Sequence, residues 1–367
     1  MRVLVVNAGS SSLKLRLLGD DDRVLADREL PAPAARVDPE ELGSTLAASF
    51  RGADVVAHRI VHGGERFRDA VVMDPEIEQA LRGLVELAPL HQPKSLAALD
   101  DVSRALPGVP AVACFDTAFH ATLPDAAATY ALPAAWRERW GIRRYGFHGL
   151  SHAWVARRAP DLLGRDEREL HIVSAHLGAG ASLCAIGQGS SVDTTMGFTP
   201  LEGLVMATRS GTVDPGLLLW LLEASGLSEH ELAAALEHES GLLGLGGSAD
   251  MRVILERATA GDAPARLALD VYIHRLRGAV AAMAAALGGL DVLVFTGGVG
   301  ERSPPIRSLT AAGLGFLGVA IDEAHNRSAA TDAEVSAEGA AVRTLVLGAR
   351  EDLVMAAQAR ALLTPNR

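Results

Sequence analysis

The chain has 367 residues, about half of them apolar, and a formal charge of −11. That length exceeds one ordinary core and predicts two domains. The acidic balance argues against a nucleic-acid or membrane-surface role, and it makes isolated arginines among glycines the groups to watch for anionic substrates.

Val3-Leu4-Val5-Val6 predicts a buried strand, too short for a signal peptide. Asn7-Ala8-Gly9-Ser10-Ser11-Ser12 is a turn cluster, and Leu13 to Leu17 alternates apolar and basic as a half-buried strand does. The pair reads as a β-hairpin with a tip rich in hydroxyls and N–H donors, closed by the acidic turn Asp20 to Asp22. A strand over Asp54 to Ala57 leads to His58-Arg59-Ile60-Val61-His62-Gly63-Gly64. Arg59, beside small apolar residues, suits either a small carboxylate or a surface ion pair. A helix is predicted over Pro75 to Leu87. Asp116 ends the buried strand Ala113-Cys114-Phe115, where a carboxylate supports Mg²⁺ in phosphate chemistry or caps a helix. Cys114 and Cys184, the two cysteines, lie in apolar stretches and predict buried thiols in a reducing compartment. His148 stands between glycines with room to point at a ligand.

Helices are predicted over His152 to Leu163, Pro215 to Glu223, Ser228 to Glu237 and Pro264 to Leu287. Ile172 to Ala175, the Gly-rich turn His176 to Ala181, and Ser182 to Ile186 repeat the first hairpin roughly half a chain later. Arg209 sits in a second glycine-bearing turn, Thr208-Arg209-Ser210-Gly211. Asp291 to Thr296 followed by Gly297-Gly298-Val299-Gly300-Glu301 is a third strand with a glycine turn. Such turns present backbone N–H groups to phosphate, and the absence of GxxxxGK[ST] points away from a P-loop. Glu351 opens a final helix after the strand Thr344 to Leu347. The longest apolar stretch, Gly278 to Leu290, is too short to span a membrane, so the expectation is a cytoplasmic α/β protein.

These segments resemble the acetate kinases, of the actin-like superfamily of acetate and sugar kinases and chaperone ATPases. The likeness rests on Asn7 to Lys14, Arg59 to Glu65, Ala88-Pro89-Leu90-His91, Phe115 to His120, Arg144 to Gly149, His176-Leu177-Gly178, Asp193 to Leu204, Thr208 to Gly211, Asp250-Met251-Arg252 and Glu351. It implies two duplicated actin-like (ribonuclease H-like) domains flanking an active-site cleft. The first would span 1–117 plus about 352–367, and the second, 118–351, would carry most of the nucleotide site. It implies a homodimer that transfers phosphate from ATP to acetate, giving acetyl phosphate and ADP, with Mg²⁺ or alternatively Mn²⁺.

The same resemblance implies the roles. Asn7, Asp116 and Glu351 would serve the metal, with Ser10, Ser12 and Lys14 near the phosphates. Arg59 and Arg209 would hold the carboxylate and the transferring phosphoryl group, and His148 would stabilise that group in flight. Val61, Leu90, Phe147 and Pro200 would form the methyl pocket, with His91 and His176 as further site histidines. His176, Gly178, Ala179 and Gly180, then Asp250, Met251 and Arg252, then Gly298, Val299, Gly300 and Arg302 would bind the nucleotide.

The chain departs from the family at Ala179, Arg302, Arg350 and Gln92, where asparagine is usual, and it is short between the first hairpin and Arg59. The departures cluster on the nucleotide side, at Ala179 and Arg302. The alternatives are a kinase for propionate or another short-chain carboxylate, and a nucleotide-binding paralogue with reduced turnover.

Overall fold

The computed structural model describes residues 1–9, 12–32, 37–87 and 92–364. The expectations for Ser10, Leu90 and His91 lie outside the described residues. The chain forms two compact units. The first comprises Met1–Ala121, Phe147–Trp154 and Arg350–Arg367; the second comprises Thr122–Gly146 and Val155–Ala349.

The first unit is built on a six-stranded sheet of β1 (Val3–Ala8), β2 (Ser12–Leu18), β3 (Val24–Pro31), β4 (Val55–Ile60), β5 (Val71–Val72) and β6 (Ala111–Phe115), in the order β3-β2-β1-β4-β6-β5. The predicted hairpin is β1 and β2, with Asn7 opposite Lys14 and the Gly9 N–H donating to the Ser12 carbonyl at 2.8 Å. β1, β4 and β6 run parallel. Side chains alternate across the sheet. Val3, Val5, Val55, Ala57, Val112 and Cys114 pack on the helix Glu351–Leu363 through Val354, Met355, Ala356 and Ala359. Leu4, Val6, Leu13, Leu15 and Val56 face the helices Pro39–Ser49 and Gln92–Ala105. The first of these is started by Asp38, whose carboxylate accepts from the Glu40 and Glu41 N–H groups.

The second unit repeats the plan. Its strands are β7 (His171–Leu177), β8 (Ala181–Gly187), β9 (Ser190–Thr194), β10 (Val292–Thr296), β11 (Ala333–Glu334) and β12 (Arg343–Val346). Their order is β11-β12-β10-β7-β8-β9, which reads β9-β8-β7-β10-β12-β11 from the other edge. β7, β8 and β9 form an antiparallel meander, and β7, β10 and β12 are parallel. The repeat seen in two hairpins therefore extends over both sheets, and the fold is α/β and duplicated.

Several boundaries differ from the sequence expectation. The helix predicted over Pro75 to Leu87 ends at Gly83, a weak helix former. Leu84 and Val85 then leave its line to pack beside Ile60, Phe67 and Phe115. The helix predicted over Ser228 to Glu237 covers only Glu229–Ala234, with Ser228 as its cap in a reciprocal Ser228–Glu231 capping box. A π-helical turn, Ala235–Glu239, follows.

The expected glycine turn after β10 is instead a short helix, Gly297–Arg302. The chain reverses at Gly297, with φ of +76°, where a Cβ would stand 2.8 Å from the Leu177 carbonyl oxygen. Phe147–Trp154, expected in the second domain, belongs to the first unit because Leu150 is buried in its core and the Gly149 N–H bonds Asp116. Among the described residues, no helix is long and apolar enough to cross a membrane.

Candidate active site

In the first unit the polar centre grows out of the strand ends. Beyond Val3 and Val5 the same face of β1 carries Asn7. Beyond Val55 and Ala57, β4 carries Arg59; beyond Val112 and Cys114, Asp116 follows β6. The parallel register sets Arg59 against Cys114, and the Asp116 N–H donates to the Ile60 carbonyl at 3.0 Å. The three side chains thus converge at the carboxyl ends of adjacent parallel strands, where open α/β sheets place ligands.

Arg59 donates from Nε to both Asp116 oxygens at 3.0 Å and from Nη2 to Asp116 Oδ2 at 2.6 Å. Its Nη1 donates to Asn7 Oδ1 at 3.0 Å, and Asn7 Nδ2 donates to Glu351 Oε2 at 3.2 Å. Burial alone would lower the Arg59 pKa, but the charges of Asp116 and Glu351 outweigh it and hold the guanidinium above its ordinary value. The Asp116 side chain is 2% exposed, so its charge depends on this partner.

Asn7, Asp116 and Glu351 supply an amide oxygen and two carboxylates, the hard oxygen donors that suit Mg²⁺. Among the described residues, no group of three His, Cys, Asp or Glu side chains gathers as a metal cage. The set therefore fits an ion that keeps waters and phosphate oxygens as its remaining ligands.

His148 lies beside this cluster in sequence-distant but tightly fixed backbone. Its φ of 56° is in the left-handed region that non-glycine residues rarely occupy. The following Gly149 donates to the Asp116 carbonyl at 2.8 Å, and a Cβ on it would overlap that oxygen. Phe147 is buried; its carbonyl lies 3.0 Å from His120 Nε2, and its ring meets the His62 imidazole edge-on at 5.5 Å.

Val61 is half-buried next to His62, whose backbone N–H and C=O are both bonded by the Gln92 carboxamide at 3.1 Å. Gln92, noted as a departure, is thus the clamp on this corner. Burial lowers the His62 pKa to about 4. Ser12 donates to Glu29 Oε1 at 2.6 Å, and Lys14 is exposed on β2.

In the second unit, a cavity of 740 Å³ opens beside the carboxyl ends of β7 and β10. Gly178 and Ala179 line it from the turn after β7, and Asp250, Met251 and Arg252 from the start of the helix Met251–Thr259. Gly298, Val299 and Arg302 line it from the helix after β10. Leu242 and Tyr272, which no motif marked, complete its apolar wall. Asp250 accepts the Arg252 N–H at 2.9 Å and binds its guanidinium with two oxygens, which holds the Asp250 pKa down at about 2.

His176, Gly180 and Gly300 do not line the cavity. His176 pairs with Ser182 in the hairpin, Gly180 accepts the Gly178 N–H, and Gly300 is buried against Phe295. Arg307 lies fully buried behind the wall. It donates to the Gly300 and Glu301 carbonyls at 2.8 Å each, and to Asn326 Oδ1 and O at 2.6 and 2.7 Å.

Arg209 also lies in the second unit, with Nη1 donating to the Pro200 carbonyl at 2.7 Å. The Pro200 loop is anchored by Glu202, which accepts from Tyr130 Oη and from Arg144 Nη2 at 2.9 Å. The Ala207 N–H donates to the Ala179 carbonyl at 3.0 Å, tying the Arg209 segment to the cavity wall.

This geometry is what the comparisons meet. A model of the Acetokinase family matches residues 40–357. The chain belongs to the acetokinase family. It is 45% identical to an acetate kinase of Synechococcus sp. (strain JA-2-3B'a(2-13)), over 99% of each chain. The fold superposes with a TM-score of 0.90 on the crystal structure of Porphyromonas gingivalis acetate kinase, at 36% identity over 99% of this chain and 100% of that one. It superposes equally, at 0.90, on a propionate kinase from Francisella tularensis subsp. tularensis SCHU S4, at 33% identity over 97% and 98%. Membership makes the chain a phosphotransferase with a carboxyl group as acceptor.

Proposed function

We propose that this enzyme transfers the γ-phosphoryl group of ATP to acetate, reversibly, giving acetyl phosphate and ADP by direct in-line displacement. The observation that carries the reading is Arg59, a guanidinium fixed by Asp116 and Asn7 at the strand ends, in the unit that also holds the apolar Val61 and Phe147. A short carboxylate needs one cationic fork and a small apolar wall. Acetate is already ionised, so a carboxylate oxygen attacks phosphorus while the bond to the bridging oxygen of ADP breaks, and no proton moves. Positioning and charge neutralisation then supply the rate. Bound at Asn7, Asp116 and Glu351, Mg²⁺ (alternatively Mn²⁺) would neutralise phosphate charge. Arg209 and His148 stabilise the group in transfer, and the cavity of the second unit accepts the nucleotide.

The intact network of Asn7, Arg59, Asp116 and Glu351 supports turnover over a binding-only paralogue. Propionate is the second reading, favoured by the structural match to a propionate kinase. One methylene is worth only about 1–3 kcal/mol of discrimination, so propionate is expected to be the slower substrate. We place the enzyme in the cytoplasm as a homodimer. The helix Pro215–Ala224 supports the dimer: it buries none of its residues and leaves Leu219 61% and Trp220 59% exposed.

Hydroxylamine trapping with ATP, Mg²⁺ and acetate, propionate or butyrate tests the proposal. Acyl hydroxamate is expected with acetate first and propionate second. Folded protein that traps no product with any acid rejects it.

A further inference from the structure

Arg209 has a second neighbour that no motif marked. Glu237 Oε2 stands 3.6 Å from Arg209 Nε, and the two side chains are 12% and 19% exposed. Burial lowers the Arg209 pKa, and the Glu237 charge opposes that shift. The guanidinium is thus engaged at Nη1 by the Pro200 carbonyl and at Nε by a carboxylate. Among the described residues, no hydrogen bond takes up Nη2.

The mounting of Glu237 is equally specific. It lies in the π-helical turn Ala235–Glu239, a geometry that is rare and concentrates at functional sites. That turn is stitched to both residues flanking Arg209. Thr208 Oγ1 donates to the Glu237 carbonyl at 2.9 Å, and the Ser210 N–H donates to the Leu236 carbonyl at 3.0 Å. The Ser240 N–H donates back to the Thr208 carbonyl at 2.9 Å. The two backbones are therefore in fixed register, and the adjustable element is the side-chain pair. At 3.6 Å that pair is an ion pair longer than a hydrogen bond.

We propose that Glu237 is a positioning residue for Arg209: it holds the guanidinium by Nε and directs the Nη2 edge toward an anionic ligand. This rests on the carboxylate-kinase reading, which assigns Arg209 its work. The carboxylate neutralises a buried cation before substrate arrives. At 3.6 Å the Glu237 contact can lengthen as the Nη2 edge turns toward the more highly charged transferring group, while Nη1 stays on the Pro200 carbonyl.

The experiment compares wild type, Glu237→Gln and Glu237→Asp by hydroxylamine trapping, together with NMR of the Arg209 Nε–H in protein carrying isotope-labelled arginine. The Arg209 signal is identified by its loss in Arg209→Lys. Glu237→Gln is expected to lower kcat about 10–100-fold, to leave KM for ATP within about twofold, and to move the Arg209 signal. Glu237→Asp is expected to recover part of kcat, which a merely structural role would not require. Unchanged kcat in Glu237→Gln beside an active wild type overturns the proposal. If wild type itself makes no acyl phosphate, the functional reading fails separately, and an unmoved Arg209 signal then overturns the role of Glu237. Should Glu237→Gln not fold, Glu237→Asp carries both readouts, and no change in either overturns it.

Discussion

At the ends of β1, β4 and β6 the first unit carries Asn7, Arg59 and Asp116. The second unit, built on the same topology, puts His176, Thr296 and Ala349 at the positions that the strand registers make equivalent. One sheet end is charged and closed by hydrogen bonds. The other is small and nearly uncharged, and beside it lies the cavity. Duplication supplied one frame twice, and the residues at three strand ends make one end a charged, hydrogen-bonded cluster and leave the other nearly uncharged beside a cavity.

The most severe test of that contrast is a paired substitution. Arg59→Ala is expected to lower kcat by about 10³-fold, the scale of removing a group that stabilises transition-state charge. Thr296→Val, at the equivalent strand end, is expected to change kcat by less than about threefold. The Thr296 hydroxyl is buried with no hydrogen-bond partner among the described residues, so its loss orphans nothing. Trapping assays on both decide the matter, and comparable losses would remove the asymmetry.

A smaller effect is expected from Arg307→Met in the second unit. It removes the guanidinium that donates to the carbonyls of Gly300 and Glu301 and to both Asn326 oxygens. The Gly300 and Asn326 bonds are buried, and each buried acceptor left unpaired costs about 1–3 kcal/mol, so a loss of at least about 3 kcal/mol in a urea titration is expected, with a raised KM for ATP.

The mildest test concerns acid. Burial lowers the pKa of His58 in the first unit to about 3, and its Nε2 has no hydrogen-bond partner among the described residues. The folded state keeps His58 neutral while the unfolded chain takes up a proton near pH 6.5. Stability is therefore full above that pH and falls as the pH drops toward 3. Between pH 7 and 5 the loss is about 2 kcal/mol. His58→Leu should remove that part of the slope, and unfolding curves at the two pH values would show it.

The strand ends were legible in the sequence because a buried run makes its last polar residue conspicuous. Asn7, Arg59 and Asp116 each follow apolar residues of fixed parity, and the structure brings all three together. The hairpins were legible for the same reason. β3 was not: it is largely exposed, with Asp27, Arg28 and Glu29 facing out, so its alternation carries little apolar signal. Gly297–Arg302 reads as a turn because glycine favours turns, yet tertiary packing against the Leu177 backbone makes it a helix. Glu237 gave no signal at all. Its place beside Arg209 depends on a π-helical turn, and a helix with one extra residue in its turn has no sequence signature. Arg307 was equally silent, because a buried arginine in an amphipathic helix looks like a surface one until its acceptors are known.

The helix Glu351–Leu363 has a consequence for how the enzyme comes into being. It forms one layer of the first unit, packing under β1 and β4, and its first residue bonds Asn7 across 344 residues of chain. Contacts so distant close slowly, because the intervening chain must be ordered or looped first. On the ribosome, all residues of the second unit emerge before this helix does. The first unit waits with one face of its sheet uncovered and Asn7 without its carboxylate partner. In synthesis order, the residues that line the second unit's cavity are all made while the Asn7, Arg59 and Asp116 cluster still lacks Glu351.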